Sequence, residues 1–522
     1  MRYLQPMRLI ILLLLFVPLL SFSQPASVAA AKDWVRKNGH QVLSTYAELL
    51  SIPNHASDSV NIRRNAALIS GLFRQRGFEM QLLELPGAPP VVYGERKVPG
   101  AIRTLCFYVH YDGQPVDPST WTHAPFAPVL YDQAMYKGGK PIPLPRAGES
   151  ISAEWRMYAR SASDDKAPIM ALLAAVDALK HAGLMYTSNI KFFFDGEEES
   201  SSPHASRFLK TYDHLFNDVT AWMLVDGPVF QNGAPSLKFG GRGVTGLELT
   251  VYGPSRPLHS GHYGNYAPVP GQLLAGLLAS MKDANGNVTI DGFYDSVEPV
   301  SAFEQEQIRK IPDIEATVRE DLGIGWTEGS GQSLFRRLML PSLTIQGLSS
   351  GNVGKLARNV IPATATANIG MRLVKGNDPE KMLDLVEAHI RKQGWHIVYS
   401  DPDHDTRMNH PKIVKVSRDP HGFPAAKVAM DHPDILPVIS AVKAFTGDNL
   451  VLLPSEGGSN NIFSVIFDEL GKPGISVNIV NHDNNQHAED ENVRIGNLWY
   501  GVELMSVLLT MPDPHLKRDR KR

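Results

Sequence analysis

Three nearly unbroken apolar runs, each closed by an acid or an imidazole, set the rhythm of the first half of the chain. They are Leu105 to His110, Ile190 to Gly196 and Ala221 to Gly227. Runs of this length without polar interruption read as strands covered on both faces, as in a parallel sheet. Before the first run and between the first two the apolar spacing turns helical, over 34–52, 60–78 and 167–183. The last of these starts just after Asp164-Asp165-Lys166 and stops at Gly183, as a strand-to-helix unit should.

Beyond residue 242 the texture changes. Residues 243–254 alternate apolar and polar positions, which predicts an antiparallel strand with one wet face. Strand 364–374, helix 379–394 and strand 395–400 then suit a small α+β unit. The first texture returns near 432, with a helix over 435–447 and a strand over 475–480. The expected division is 24–241 and 431–511 for an α/β domain, interrupted by 242–430. The Pro/Gly-rich stretch between Tyr131 and Trp155 reads as a long surface loop.

A chain of 522 residues is long enough for two domains. A formal net charge of −3 gives no reason to expect a nucleic-acid partner. The basic stretch 517–522 reads as a solvated tail. At the other end, Arg2 and Arg8 precede an apolar run over 9–20 and then small residues, the pattern of a secretory signal over 1–23. That predicts an exported, periplasmic or secreted protein. The run is too short for a bilayer-spanning helix, and Pro18 interrupts its end. The single cysteine, Cys106, lies inside an apolar strand and reads as a buried, inert thiol.

The chemistry sits just past the strand ends. Polar residues beyond the carboxyl ends of parallel strands converge on one crevice. Here those residues are His110 and Asp112, Asp164 and Asp165, the run Glu197-Glu198-Glu199, Asp226, and His487, with His482 and Asp483 as competitors for the last place. Two imidazoles and several carboxylates make a good divalent-metal site. In extended geometry His110 and Asp112 point the same way, so the acid can hold the free ring N–H. Three adjacent glutamates repel one another, and a cation would offset that repulsion.

Taken in order, HYDG, SDDK, DGEEESSS, VDG, LHSGHYG and NQHAEDEN resemble the signatures of dinuclear zinc peptidases that include carnosinases, cytosolic nonspecific dipeptidase, aminoacylase and the glutamate carboxypeptidases. The resemblance spans about 30 to 510. It implies a zinc-peptidase catalytic domain with a mostly parallel sheet and helices on both faces, plus an inserted lid and dimerisation domain. It further implies two Zn2+ per subunit, held by His110, Asp164 as the bridge, Glu199, Asp226 and His487. Asp112 would orient His110 and Glu198 would be the general base. His259 would reach the site of a second copy in a homodimer, Arg372 would grip a substrate carboxylate, and Gly458 and Ser459 would hold the substrate's C-terminal end, with Asn359 nearby. The implied activity is hydrolysis of dipeptides or short peptides, of dipeptidase or carboxypeptidase type, with N-acyl-amino-acid deacylation as the alternative and a non-catalytic binding protein as the remaining one. Three positions depart from the family pattern: Ala159-Arg160-Ser161 replaces Gly-Arg-Gly, Ala167 replaces a glycine, and Ser201 replaces another.

Overall fold

A computed structural model describes residues 25–513 except 330, 456, 459 and 460. The signal segment 1–23, the basic tail and Ser459 lie outside the described residues. Among the described residues no helix is long and apolar enough to cross a membrane.

The apolar runs do form one sheet. Its eight strands are β1 (Glu79–Leu83), β2 (Val91–Arg96), β3 (Thr104–His110), β4 (Asn189–Asp195), β5 (Ala221–Leu224), β6 (Ser236–Lys238), β7 (Val451–Leu453) and β8 (Gly474–Val477). They lie in the order β1-β2-β4-β3-β5-β8-β6-β7. The middle four, β4, β3, β5 and β8, are mutually parallel, and antiparallel pairings appear only towards the two sides. All of β3 and nearly all of β4 are buried, which is why their sequences show no alternation.

Helix α1 (Ala26–Leu50) begins eight residues before the predicted stretch. It packs with α3 (Lys166–His181) and the C-terminal α4 (Ile495–Leu509), while α2 (Ser59–Arg74) lies against β1 and β2. α3 is buried on almost every side, as its all-round apolar sequence requires.

A second apolar core is built only from residues between Leu247 and Val416. Its sheet runs in the order Ser342–Ser349, Thr364–Leu373, Gly243–Tyr252, Ile413–Arg418, His396–Val398, antiparallel except for the last pair. Strand Thr364–Leu373 alternates strictly between outward and buried positions, and helices Pro270–Ala279 and Pro379–Lys392 cover this sheet. Ala426, Val428 and Met430 already belong to the first core.

Two features differ from the sequence reading. Residues 131–155 are not a plain loop. Short strands Val129–Tyr131, Pro141–Ile142 and Arg156–Tyr158 form a small sheet with Asn492–Arg494. An arm of helices, Ala302–Lys310, Glu315–Leu322 and Leu334–Arg337, also reaches back from the inserted segment. Ile314, Val318 and Phe335 of this arm pack on Phe230, Val451 and Leu453 of the first unit.

Candidate metal centre

β3 delivers His110 at its last position, fully buried. Its Nδ1 lies 3.2 Å from Asp112 Oδ1, and its Nε2 lies 2.8 Å from Asp164 Oδ1. The other oxygen of Asp164, Oδ2, lies 3.2 Å from His487 Nε2. One carboxylate therefore spans two imidazoles that are 377 positions apart in the chain (487 minus 110). His482, the competitor, lines the neighbouring cavity but belongs to neither ligand group.

The glutamate run is divided by its hydrogen bonds. Glu197 turns away and accepts from the backbone N–H of His204 and from its ring at 2.9 Å. Glu198 Oε2 stands 3.8 Å from His110 Nε2, facing the cavity. Glu199 Oε2 lies 3.4 Å from His487 Nε2 and accepts from Gln114 at 2.7 Å. Asp112 does more than hold His110. It also accepts from the backbone N–H groups of Glu198 and Glu199, both at 3.1 Å, so one acid ties the end of β3 to the loop after β4.

The donor atoms fall into two groups able to hold a metal ion: His110, Asp165 and Asp226, and Asp164, Glu199 and His487. Asp165 was not among the expected ligands. Its Oδ2 accepts from the His110 backbone N–H at 3.3 Å, while its Oδ1 is buried with no hydrogen-bond partner. Burial and its acidic neighbours push the carboxyls of Glu198 and Asp165 well up, and push Glu199 up to about 8. Such a crowd of buried acids with two imidazoles fits a pair of divalent cations, which would restore the charged forms.

The loop holding Asp164 is clamped by a residue the sequence reading passed over. Glu491 is fully buried. Its Oε1 accepts from Ser163 N–H (2.7 Å), Ser163 Oγ (2.8 Å) and Asp164 N–H (2.9 Å). Its Oε2 accepts from Ser161 N–H and Arg160 Nη1, both at 2.8 Å. Its one sequence signal is position: it is the acid of 489–491 that directly precedes the strand Asn492–Arg494. At the departures from the family pattern, Ser161 and Ser201 both adopt positive φ (61° and 68°), the conformation a glycine takes at least cost.

A cavity of about 630 Å³ opens on this centre, lined by Asp164, Glu198, Asp226, His487, Gly457 and Gly458 among others. The remaining expected residues lie elsewhere. His259 and Asn359 meet on the inserted unit, where the Ser260 N–H donates to Asn359 O; both are exposed and neither lines the cavity. Arg372, next to last in strand Thr364–Leu373, lies outside that lining, yet its carbonyl accepts from Arg242, whose own N–H donates to Gly458 O at 3.3 Å.

The profile of peptidase family M20/M25/M40 matches residues 106–511. The chain belongs to this family. It is similar to Cys-Gly metallodipeptidase DUG1 of Saccharomyces cerevisiae, 27% identical over 496 residues, covering 90% of this chain and 95% of the relative. It is similar to human Beta-Ala-His dipeptidase, 24% identical over 436 residues, 82% of this chain and 78% of the relative. Among solved structures, an M20 family metallo-carboxypeptidase from Sulfolobus solfataricus superposes with a TM-score of 0.70 at 25% identity, covering 90% of this chain and 98% of that one. This M20 peptidase is a zinc enzyme that hydrolyses amide bonds and takes two zinc ions. Its expected export is corrected: the yeast dipeptidases it is similar to are cytosolic enzymes.

Proposed function

We propose that this M20 peptidase is a dipeptidase in which His110, Asp164, Asp226, Glu199 and His487 hold the two zinc ions, with Asp164 shared between them. The observation that carries this reading is the contact of both Asp164 oxygens with the two imidazoles, beside Glu198 in a cavity of dipeptide size. The relatives named as Cys-Gly and Beta-Ala-His dipeptidases support the substrate class.

When bound, the zinc ions polarise the scissile carbonyl and acidify water. Glu198, which faces the cavity and belongs to neither ligand group, takes the proton of the attacking water and returns it to the leaving amine. Asp112 fixes the His110 ring with Nδ1 protonated, leaving Nε2 as the ligand atom. Gly458, in the cavity lining, receives the substrate carboxylate, with Arg372 linked to its loop through Arg242. His259, with Asn359 beside it, serves the site of a second copy in a homodimer, donating a hydrogen bond to the developing oxyanion.

The test is purified, zinc-loaded enzyme on a dipeptide panel beside N-acetyl amino acids. Cleavage of dipeptides with N-acetyl amino acids untouched is expected. The reverse preference makes the protein a deacylase and ends the dipeptidase reading.

A further inference from the structure

One wall of the catalytic cavity is apolar and comes from two distant parts of the chain. Val229 and Phe230 follow Asp226 away from β5, and Leu453 ends β7. Facing them, Leu334, Phe335 and Leu338 come from the last helix of the inserted arm and the residue after it. The first three side chains are buried, whereas the three of the arm are only half-buried. The Phe230 and Phe335 rings meet at 5.4 Å, so the two halves of the wall are in contact. Leu338 reaches the glycine loop, with Cδ2 4.0 Å from where a Gly457 side chain would begin. An unsubstituted Gly457 therefore leaves open the space beneath Leu338.

We infer that this wall is a side-chain subsite and that the enzyme selects dipeptides bearing one large apolar residue. The inference rests on the dipeptidase reading above and extends it to substrate choice. The physical basis is simple: half-buried leucine and phenylalanine side chains beside the metal ligands gain by covering apolar substrate surface, and alanine or glycine offers too little of it. The specificity is carried by the inserted arm, since Leu334 and Leu338 touch no part of the metal centre's hydrogen-bond network.

Two substrate series test it, X-Gly and Gly-X, with X as Gly, Ala, Leu and Phe. In one of the series kcat/KM for Leu or Phe should exceed that for Ala by at least about tenfold, in line with the discrimination an apolar pocket gives per added carbon. Leu338→Ala should remove most of that advantage, lowering kcat/KM for the Leu and Phe members far more than for the Ala member, and Leu334→Ala should act in the same direction. Equal kcat/KM across both series, or an equal loss for every member in Leu338→Ala, overturns the inference while the dipeptidase reading stands. A binding readout separates the two ideas. Calorimetry with zinc-loaded Glu198→Gln should show Leu-Gly or Gly-Leu binding tighter than its alanine counterpart, and Leu338→Ala in that background should erase the difference. If the wild-type enzyme cleaves no dipeptide but this binding preference holds, the dipeptidase reading fails and the apolar subsite survives. If the preference is absent, the subsite is wrong.

Discussion

Replacing Glu491 with glutamine changes one atom and should unlock the loop that carries Asp164. The wild-type carboxylate accepts five hydrogen bonds: three on Oε1, from Ser163 N–H, Ser163 Oγ and Asp164 N–H, and two on Oε2, from Ser161 N–H and Arg160. An amide offers only one acceptor oxygen, so its NH2 must face at least two donors. Each charged hydrogen bond lost costs about 1.5–3 kcal/mol. The Arg160 guanidinium, with only 3% of its side chain exposed, would also lose its ion pair, a change worth about 3–5 kcal/mol when one partner of a buried pair is removed. These figures overlap, and about 3 kcal/mol is a fair lower value for the local loss. Spent on loosening the Asp164 loop, that energy weakens zinc by roughly a hundredfold, at about 1.4 kcal/mol per decade. Competition with a calibrated chelator measures the affinity, and melting with and without zinc separates positioning from general stability. A positioning role shrinks the increment in melting temperature that zinc confers. If Glu491→Gln binds two zinc ions within threefold of wild type, or if both melting curves fall equally with zinc affinity intact, the clamp argument is refuted.

Glu198→Gln should keep both zinc ions and lose about 10²–10⁴ in kcat, since it removes proton transfer and no ligand; metal analysis beside steady-state kinetics checks it. Chelation should abolish activity, and Asp164→Ala should lower bound zinc by elemental analysis more than the loss of any other single ligand, because both of its oxygens are used. His259→Ala should fold and bind zinc yet turn over about a hundredfold more slowly, the cost of one oxyanion donor, and mixing it with Glu198→Gln should restore activity in mixed dimers; no recovery in verified mixed dimers excludes His259 from a neighbouring site. Although burial opposes it, the hydrogen bond from Arg156, with those from Asn481 and Tyr136, holds Asp483 below the usual carboxylate range. A depressed folded-state pKa stabilises above the unfolded value near 4 and is lost as pH falls below it, so the melting-temperature gap between wild type and Asp483→Asn should narrow from pH 6 to pH 3.

The strands that matter most were legible because they are buried on both faces. Phe192, Phe193 and Phe194 leave no room for another reading, and the acids after them fall where a parallel sheet gathers its ligands. His110 and Asp226 could be placed in that crevice for that reason, whereas the roles of Asp164, Glu199 and His487 came only with the resemblance to the zinc peptidases. Asp165 stood beside Asp164 in the sequence, but only the tertiary contact of its carboxylate with the His110 backbone distinguishes it from a helix cap. Glu491 was hidden among Glu489 and Asp490, a run that looks solvated until its last member is seen buried against five backbone and side-chain donors. The arm over 302–338 was missed since its helices are short and polar, and its apolar residues have meaning only against Phe230 and Leu453. Residues 131–155 looked like a loop because strand pairs of two or three residues leave no periodicity to detect.

The late position of His487 and Glu491 in the chain has a consequence for how the enzyme is born. β3 and the Asp164 loop are synthesised early, but the imidazole that shares Asp164 and the acid that clamps its loop arrive only after the whole inserted unit has been made. α4, which packs on both α1 and α3, is made later still. A growing chain therefore carries a crowd of unneutralised acids and half a coordination site until its final strand and helix have emerged. The centre can be completed only once the residues around His487 and Glu491 are available to fold against the Asp164 loop. Nonsense mutations near the C-terminus should behave as metal-loading defects rather than as mild truncations.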